Sequence, residues 1–197
     1  WCYVGQGVVE KLKAEYNVDV EWRPFYLRPD TPPEGMELPD YIKQARTNGS
    51  EERLRSIANA YGMEFESTER IYNTRIAHEA TEYAREHGRG NEFHKIVFRK
   101  VYAEKQDLSN WSVLRSAAEE AGLDAEEMQR EVDGGKYTAQ VADQVNWAYQ
   151  IGVSGVPTYV INDRYAVVGA QPYEVFKNAL MQMNCNTCHR YDRETTG

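Results

Sequence analysis

The sequence predicts an α/β fold in two separated halves, with an all-helical block inserted between them. Three observations carry this reading. Alternation of apolar and polar residues with a period of two, the mark of a strand, occurs only near residues 18–22 and 158–168. Residues 40–150 instead keep the 3.6-residue period of amphipathic helices. One helix lies directly behind residue 1, and another closes the chain before a short polar tail.

The elements follow in order. "GQGVVEKLKAEYN" places Val8, Val9, Leu12 and Tyr16 on one helical face, with Asn17 as a stop. "VDVEW" alternates, with Val18, Val20 and Trp22 on one side, as a strand does. "RPFYLRPDTPPEGMELPD" holds five of the seven prolines and is an irregular connector. In the helical block Gly49, Gly62, Gly88 and Gly122 stand at helix ends, and Asp124 with Glu127 resembles a capping box. "NEFHKIVFRKVY" collects Phe93, Ile96, Val97 and Val101 on one face, and "TAQVADQVNWAYQIG" does the same with Val141, Val145 and Ala148. "PTYVIN" and "RYAVVG" are two short strands around Asn162-Asp163, a hairpin signal. "QPYEVFKNALMQM" is the closing helix, with Pro172 near its first turn, where a missing N–H costs nothing.

Helix, strand, helical block, two strands and helix make a thioredoxin-like layout that lacks its first strand in this record. The expected organisation is a discontinuous domain of residues 1–39 and 151–184, a helical insertion over 40–150 and a tail over 185–197.

The bulk numbers narrow the function classes. With 197 residues there is chain enough for a sizeable core, and 41% hydrophobic with 27% charged residues is ordinary globular composition. A net charge of −8 argues against a general nucleic-acid binder. No run approaches the ~18 apolar residues of a membrane span. The cysteines are Cys2, Cys185 and Cys188, too few for a secreted disulfide framework. They suit a cytoplasmic protein whose thiols are catalytic, metal-binding or inert.

In "GVSGVPTYVI", Pro157 opens a strand, a position that tolerates its missing N–H. On these residues alone a plain trans bond is the ordinary reading, because cis occurs in only ~5–6% of X–Pro bonds. "WCYVGQ", "VEWRPFYLRPDTPPEG" and "GVSGVPTYVINDRYAVVGAQPYEVFKNAL" together, however, resemble the DsbA family of thioredoxin-like oxidoreductases, most of all its cytosolic FrnE-like branch. In that family the active site is Cys-Pro-Trp-Cys followed by Tyr, a small apolar residue and Gly. Trp1, Cys2, Tyr3, Val4 and Gly5 match its second half, and Val156-Pro157 matches the loop whose cis-proline faces the cysteines.

The resemblance implies thiol–disulfide exchange on a protein or small thiol substrate, without a resident cofactor and with glutathione as a possible co-substrate. The nucleophilic Cys is expected two positions before Trp1, after a strand that precedes this record. Helix-terminal N–H groups and the helix dipole would favour its thiolate. Cys2 would then be the resolving thiol. Trp1 would stand at the rim, and Val156, Pro157 and Thr158 would bind substrate, the Val156 backbone offering an edge to an extended peptide. Without the resemblance, Cys2 is equally readable as an inert buried thiol.

"NCNTCHRYDRETTG" leaves several readings open. The pattern Cys185, Cys188, His189 is literally that of c-type haem attachment, and it also supplies three zinc ligands lacking a fourth. The favoured reading is an auxiliary redox dithiol, since so short a loop gains little stability from a bridge. An inert tail is the bland one. No metal is expected, and His78, His87 and His94 read as surface or satisfied core histidines. Phe25 and Tyr26 are expected in the core.

Two other functions compete with the oxidoreductase. The same inserted fold serves glutathione-dependent enzymes of the 2-hydroxychromene-2-carboxylate isomerase and kappa-transferase type, in which a Ser replaces the first Cys and the second is generally absent. A non-catalytic binding module is the other. Oligomeric state is not legible.

Overall fold

The computed structural model describes residues 1–182. Its contacts divide the chain into two compact units, Trp1–Glu21 with Val153–Gly197, and Trp22–Gly152. Residues 22–39 thus group with the helices.

In the first unit, helix α1 (Cys2–Glu15) buries the face its periodicity predicts: Val8, Val9 and Leu12, with Tyr16 just beyond. Its first two turns are buried all round, over residues 3–9. The helix ends where Tyr16 turns to extended backbone (φ −132°, ψ 149°).

The segment expected as a strand at residues 18–22 joins no ladder among the described residues. Val18, Val20 and Trp22 are indeed the more buried residues and Asn17, Asp19 and Glu21 the exposed ones, so the alternation is real. Among the described residues, however, no strand pairs with this segment. An extended segment becomes a strand only through a ladder to a neighbour, which alternation cannot supply.

The hairpin forms where expected. Strands β3 (Thr158–Ile161) and β4 (Tyr165–Val168) pair antiparallel, with Thr158 opposite Val168 and Ile161 opposite Tyr165. Asn162 and Asp163 turn the chain with φ of 50° and 54°, a region these side chains tolerate better than most. Helix α9 (Tyr173–Gln182) buries Phe176, Ala179 and Leu180. Tyr159 of β3 meets Phe176 edge-on at 4.6 Å. The Tyr173 hydroxyl donates to Glu15 at 2.5 Å, and the Lys11 ammonium lies 4.1 Å from the Tyr173 ring centre.

The second unit contains α2 (Asp40–Ala45), α3 (Glu51–Ala60), α4 (Arg75–Glu86), α5 (Gly90–Tyr102), α6 (Trp111–Glu120), α7 (Ala125–Asp133) and α8 (Thr138–Gln150). Residues 40–150 are not helical throughout. After α3, the backbone of Gly62 takes a φ of 70°, and residues 63–74 form a loop that includes β2 (Arg70–Ile71). That strand pairs antiparallel with β1 (Met36–Glu37) of the connector, a two-residue ladder too short to leave a period in the sequence.

The core of this unit is built on small residues. Ala77, Ala80 and Ala84 of α4 and Ala117 and Ala118 of α6 line it beside Tyr83, Phe93, Leu114 and Met128. Two carboxylates are buried with partners. Glu79 accepts from Arg75 at 3.0 Å and from the Thr138 hydroxyl at 3.1 Å, and Glu82 accepts from Gln140 at 2.6 Å. Asp124 caps α7 by accepting from the Glu126 and Glu127 amides at 3.0 and 2.9 Å. The carboxylate of Glu127 instead accepts from the buried Tyr83 hydroxyl at 3.1 Å, so only half of the capping box is made. No helix among the described residues is long and apolar enough to cross a membrane.

Candidate active site

Cys2 is the first helical residue of α1, and Trp1 is its N-cap with no side-chain cap bond. The first N–H···O bond of the helix runs from Gly5 to the Trp1 carbonyl at 2.9 Å. The amides ahead of it lack intrahelical acceptors and stand at the positive end of the dipole. Cys2 is a free thiol, half-buried. Burial pushes its pKa up, and the smaller pull of its own backbone amide does not offset this. Burial thus favours its protonated form. Trp1 is 44% exposed, so its indole remains reachable from solvent.

The loop before β3 carries the other half of the site. The Val156–Pro157 peptide is cis. Pro157 is buried and Val156 half-buried. The Pro157 carbonyl accepts from the Gly169 amide at 2.8 Å, tying the loop to the end of β4. The Thr158 hydroxyl donates to the Gly155 carbonyl at 2.7 Å, so this side chain braces the loop. The backbone of Val156 makes no hydrogen bond among the described residues.

Gly5 shows how the two halves meet. A Cβ built on it would lie 3.4 Å from Pro157 and would run into the Tyr159 hydroxyl. The first turn of α1 therefore rests against the Pro157 loop through a position where only hydrogen fits. Sequence reasoning noted Gly5 as part of a pattern but missed its packing role, and it missed Tyr159 and Gln6 entirely. A signal for Gly5 was present: glycine inside a helix costs about 1 kcal/mol relative to alanine and so points to a packing reason. Gln6 is 5% exposed, and its Oε1 has no hydrogen-bond partner among the described residues. Nothing in the sequence marks a glutamine there as buried.

Cys185, Cys188 and His189 lie outside the described residues, and with them the auxiliary dithiol, zinc and haem readings. Among the described residues no group of three or more His, Cys, Asp or Glu is placed to hold a metal ion. His94 departs from the expectation of a satisfied core histidine. It is buried beneath Trp22, ring centres 4.1 Å apart, and its Nε2 lacks a hydrogen bond. Burial lowers the pKa of His94 to about 3 and that of His78 to about 4. His87 is exposed, its Nδ1 2.8 Å from the Tyr83 carbonyl. Phe25 and Tyr26 are half-buried rather than core, Phe25 against Tyr149 and Tyr26 edge-on to His78.

Comparison with known proteins places this arrangement. The model of the DSBA-like thioredoxin domain matches residues 1–181. The protein YwbO of Bacillus subtilis is 29% identical over 183 residues, covering 91% of this chain and 90% of that one. Among solved structures, a probable DsbA oxidoreductase, SCO1869, from Streptomyces coelicolor superposes with a TM-score of 0.81 at 31% identity, covering 92% of this chain and 84% of that one. A 2-hydroxychromene-2-carboxylate isomerase superposes with a TM-score of 0.78 at 17% identity, covering 93% and 90%. The last likeness is one of fold alone.

Proposed function

The chain belongs to the DSBA-like thioredoxin family, and from that premise we propose that it is a thiol–disulfide oxidoreductase of the FrnE-like type, with Trp1-Cys2 as the second half of a Cys-Pro-Trp-Cys site. The observation that carries this reading is the approach of the first turn of α1, bearing Cys2, to the Val156–Pro157 loop through Gly5. In the reductive direction, a nucleophilic thiolate two residues before Trp1 attacks a substrate disulfide. One substrate thiolate leaves and takes a proton, and a mixed disulfide remains. Cys2 then loses its proton, and its thiolate attacks the enzyme sulfur of the mixed disulfide. The second substrate thiolate departs and is protonated. Two electrons have passed from the enzyme dithiol, now a disulfide, to the substrate.

A thiol held protonated by burial suits the resolving step, since it does not compete as first nucleophile. The open backbone of Val156 offers hydrogen bonds to an extended peptide laid beside the loop, with Trp1 at its rim. The substrate class is a disulfide-bearing protein or small thiol in a cytoplasmic setting. Glutathione serves as the co-substrate that resets the site, and Cys185 with Cys188 as an auxiliary dithiol. Neither nucleic acid nor membrane enters the reading.

The test is disulfide reduction with insulin as substrate. Cys2→Ser is expected to lower turnover by roughly two orders of magnitude and to accumulate the mixed disulfide, because the intermediate cannot be resolved. Full turnover in Cys2→Ser would overturn the reading and favour glutathione-dependent isomerase chemistry, for which the second thiol is dispensable.

A further inference from the structure

The resolving step poses a problem that the exchange chemistry does not solve by itself. Cys2 must give up its proton, yet burial favours the protonated thiol. Among the described residues, no carboxylate or ammonium side chain contributes to the Cys2 shift, which comes from burial against the smaller pull of a backbone amide. The charged residues of α1 itself, Glu10, Lys11, Lys13 and Glu15, begin two turns further on, and the hairpin presents Tyr159, a phenol.

One buried polar group does lie on the correct face. Gln6 follows Cys2 by four positions, so the two share a stripe of α1, one turn apart. Helical side chains lean toward the N-terminus, so the Gln6 carboxamide reaches over the turn that carries Cys2. Gln6 is 5% exposed, and its Oε1 makes no hydrogen bond among the described residues. Buried carboxamide oxygens are rarely left so, and ordered water is the usual partner where protein offers none. A water bonded to Oε1 would lie on the stripe of α1 that carries the Cys2 thiol.

We propose that Gln6 is a positioning residue for Cys2, holding the water through which the thiol proton leaves. The inference rests on the oxidoreductase reading for its purpose, but not for its measurement. The water accepts a hydrogen bond from Sγ–H and donates one to Oε1. When the proton passes to solvent through this water, the water turns and donates to the thiolate it leaves behind. A carboxamide takes no proton itself, and the balance is one proton from Sγ to solvent.

The experiment follows alkylation of Cys2 by iodoacetamide across pH 6–11 in the full chain, read by mass spectrometry of the Cys2 peptide so that Cys185 and Cys188 do not interfere. Gln6→Leu and Gln6→Met remove the carboxamide at nearly constant volume. Each is expected to raise the midpoint of the alkylation profile by about one pH unit, a roughly tenfold slower reaction at a fixed pH below it, with thermal stability equal or higher. A profile superimposable on the parent's in both variants would overturn the proposal. So would loss of the fold in both, since Gln6 would then be a packing residue. A parent chain whose Cys2 shows the Gln6-dependent profile but which reduces no disulfide would refute the oxidoreductase reading and leave the coupling of Gln6 to Cys2 intact.

Discussion

The two units meet the demand for burial in different ways. In the unit of residues 22–152, α4 to α7 enclose a continuous core of alanine, leucine, valine and aromatic side chains, and the carboxylates drawn inside have partners, although His94 Nε2 makes no hydrogen bond among the described residues. In the unit built from α1, the hairpin and α9, the burial is concentrated on one helix: residues 3–9 are buried all round, while Val160, Tyr165 and Val168 of the hairpin are exposed. The first arrangement is that of a stable helical body. The second gathers its tightest packing around the thiol-bearing turn. It leaves a glutamine oxygen unsatisfied there and lets a single hydrogen atom, at Gly5, set the approach of the Pro157 loop. Tight packing around the candidate site and the large helical core are thus carried by different segments.

This contrast breaks most visibly in the helical core. Phe93 is fully buried, and Phe93→Ala should cost about 3–5 kcal/mol through lost burial and the cavity left behind. Urea denaturation would register this, whereas the Cys2 alkylation profile of the folded protein should not move. A shifted profile would mean that the core of the helices sets the thiol's environment after all.

Acid should act on the same unit. His94 and His78, with pKa values lowered to about 3 and about 4, are neutral when folded, whereas the unfolded chain takes up protons below pH ~6.5. Their contribution to stability is therefore intact above pH 6.5 and is lost as pH falls toward 4, by about 1.4 kcal/mol per pH unit for each ring. Between pH 6.5 and 5 that amounts to about 2 kcal/mol per ring. His94→Phe, which keeps an aromatic ring against Trp22, should flatten the pH dependence measured by denaturation. An unchanged slope would show that His94 titrates normally in the folded protein.

The smallest expected effect sharpens the contrast at the site. Gly5→Ala places a methyl group against the Tyr159 hydroxyl, and the edge-on contact of that ring with Phe176 limits its retreat. Overpacking of this kind costs about 1–3 kcal/mol, against a gain of up to about 1 kcal/mol in helix propensity. A net loss of stability that Tyr159→Phe partly restores in the double variant would locate the clash at the hydroxyl. A stabilised Gly5→Ala protein would mean that the loop shifts freely.

The periodic elements were legible because their signals are local. The buried faces of α1, α5 and α8 are those the 3.6-residue spacing predicts, and the Asn162-Asp163 turn stands between the strands that flank it. The site was legible only through a pattern: Trp1-Cys2 at a helix start and Val156-Pro157 before a strand. Spacing along the chain could not reveal that about 150 residues apart these segments touch at Gly5, nor that Tyr159 stands between them.

By itself the sequence determined the faces that α1, α5 and α8 bury, the place where Asp124 caps α7 and the turn of the hairpin. Each of these follows from backbone preferences and hydrogen bonds within a few residues. Tertiary structure alone decided that residues 36–37 pair with 70–71, that His94 stacks on Trp22, and that Gln6 is buried on Cys2's stripe of α1. A ladder, a stack and a buried amide each require a partner from a distant part of the chain. The periodicity of one segment records the face it buries, never the group it meets there.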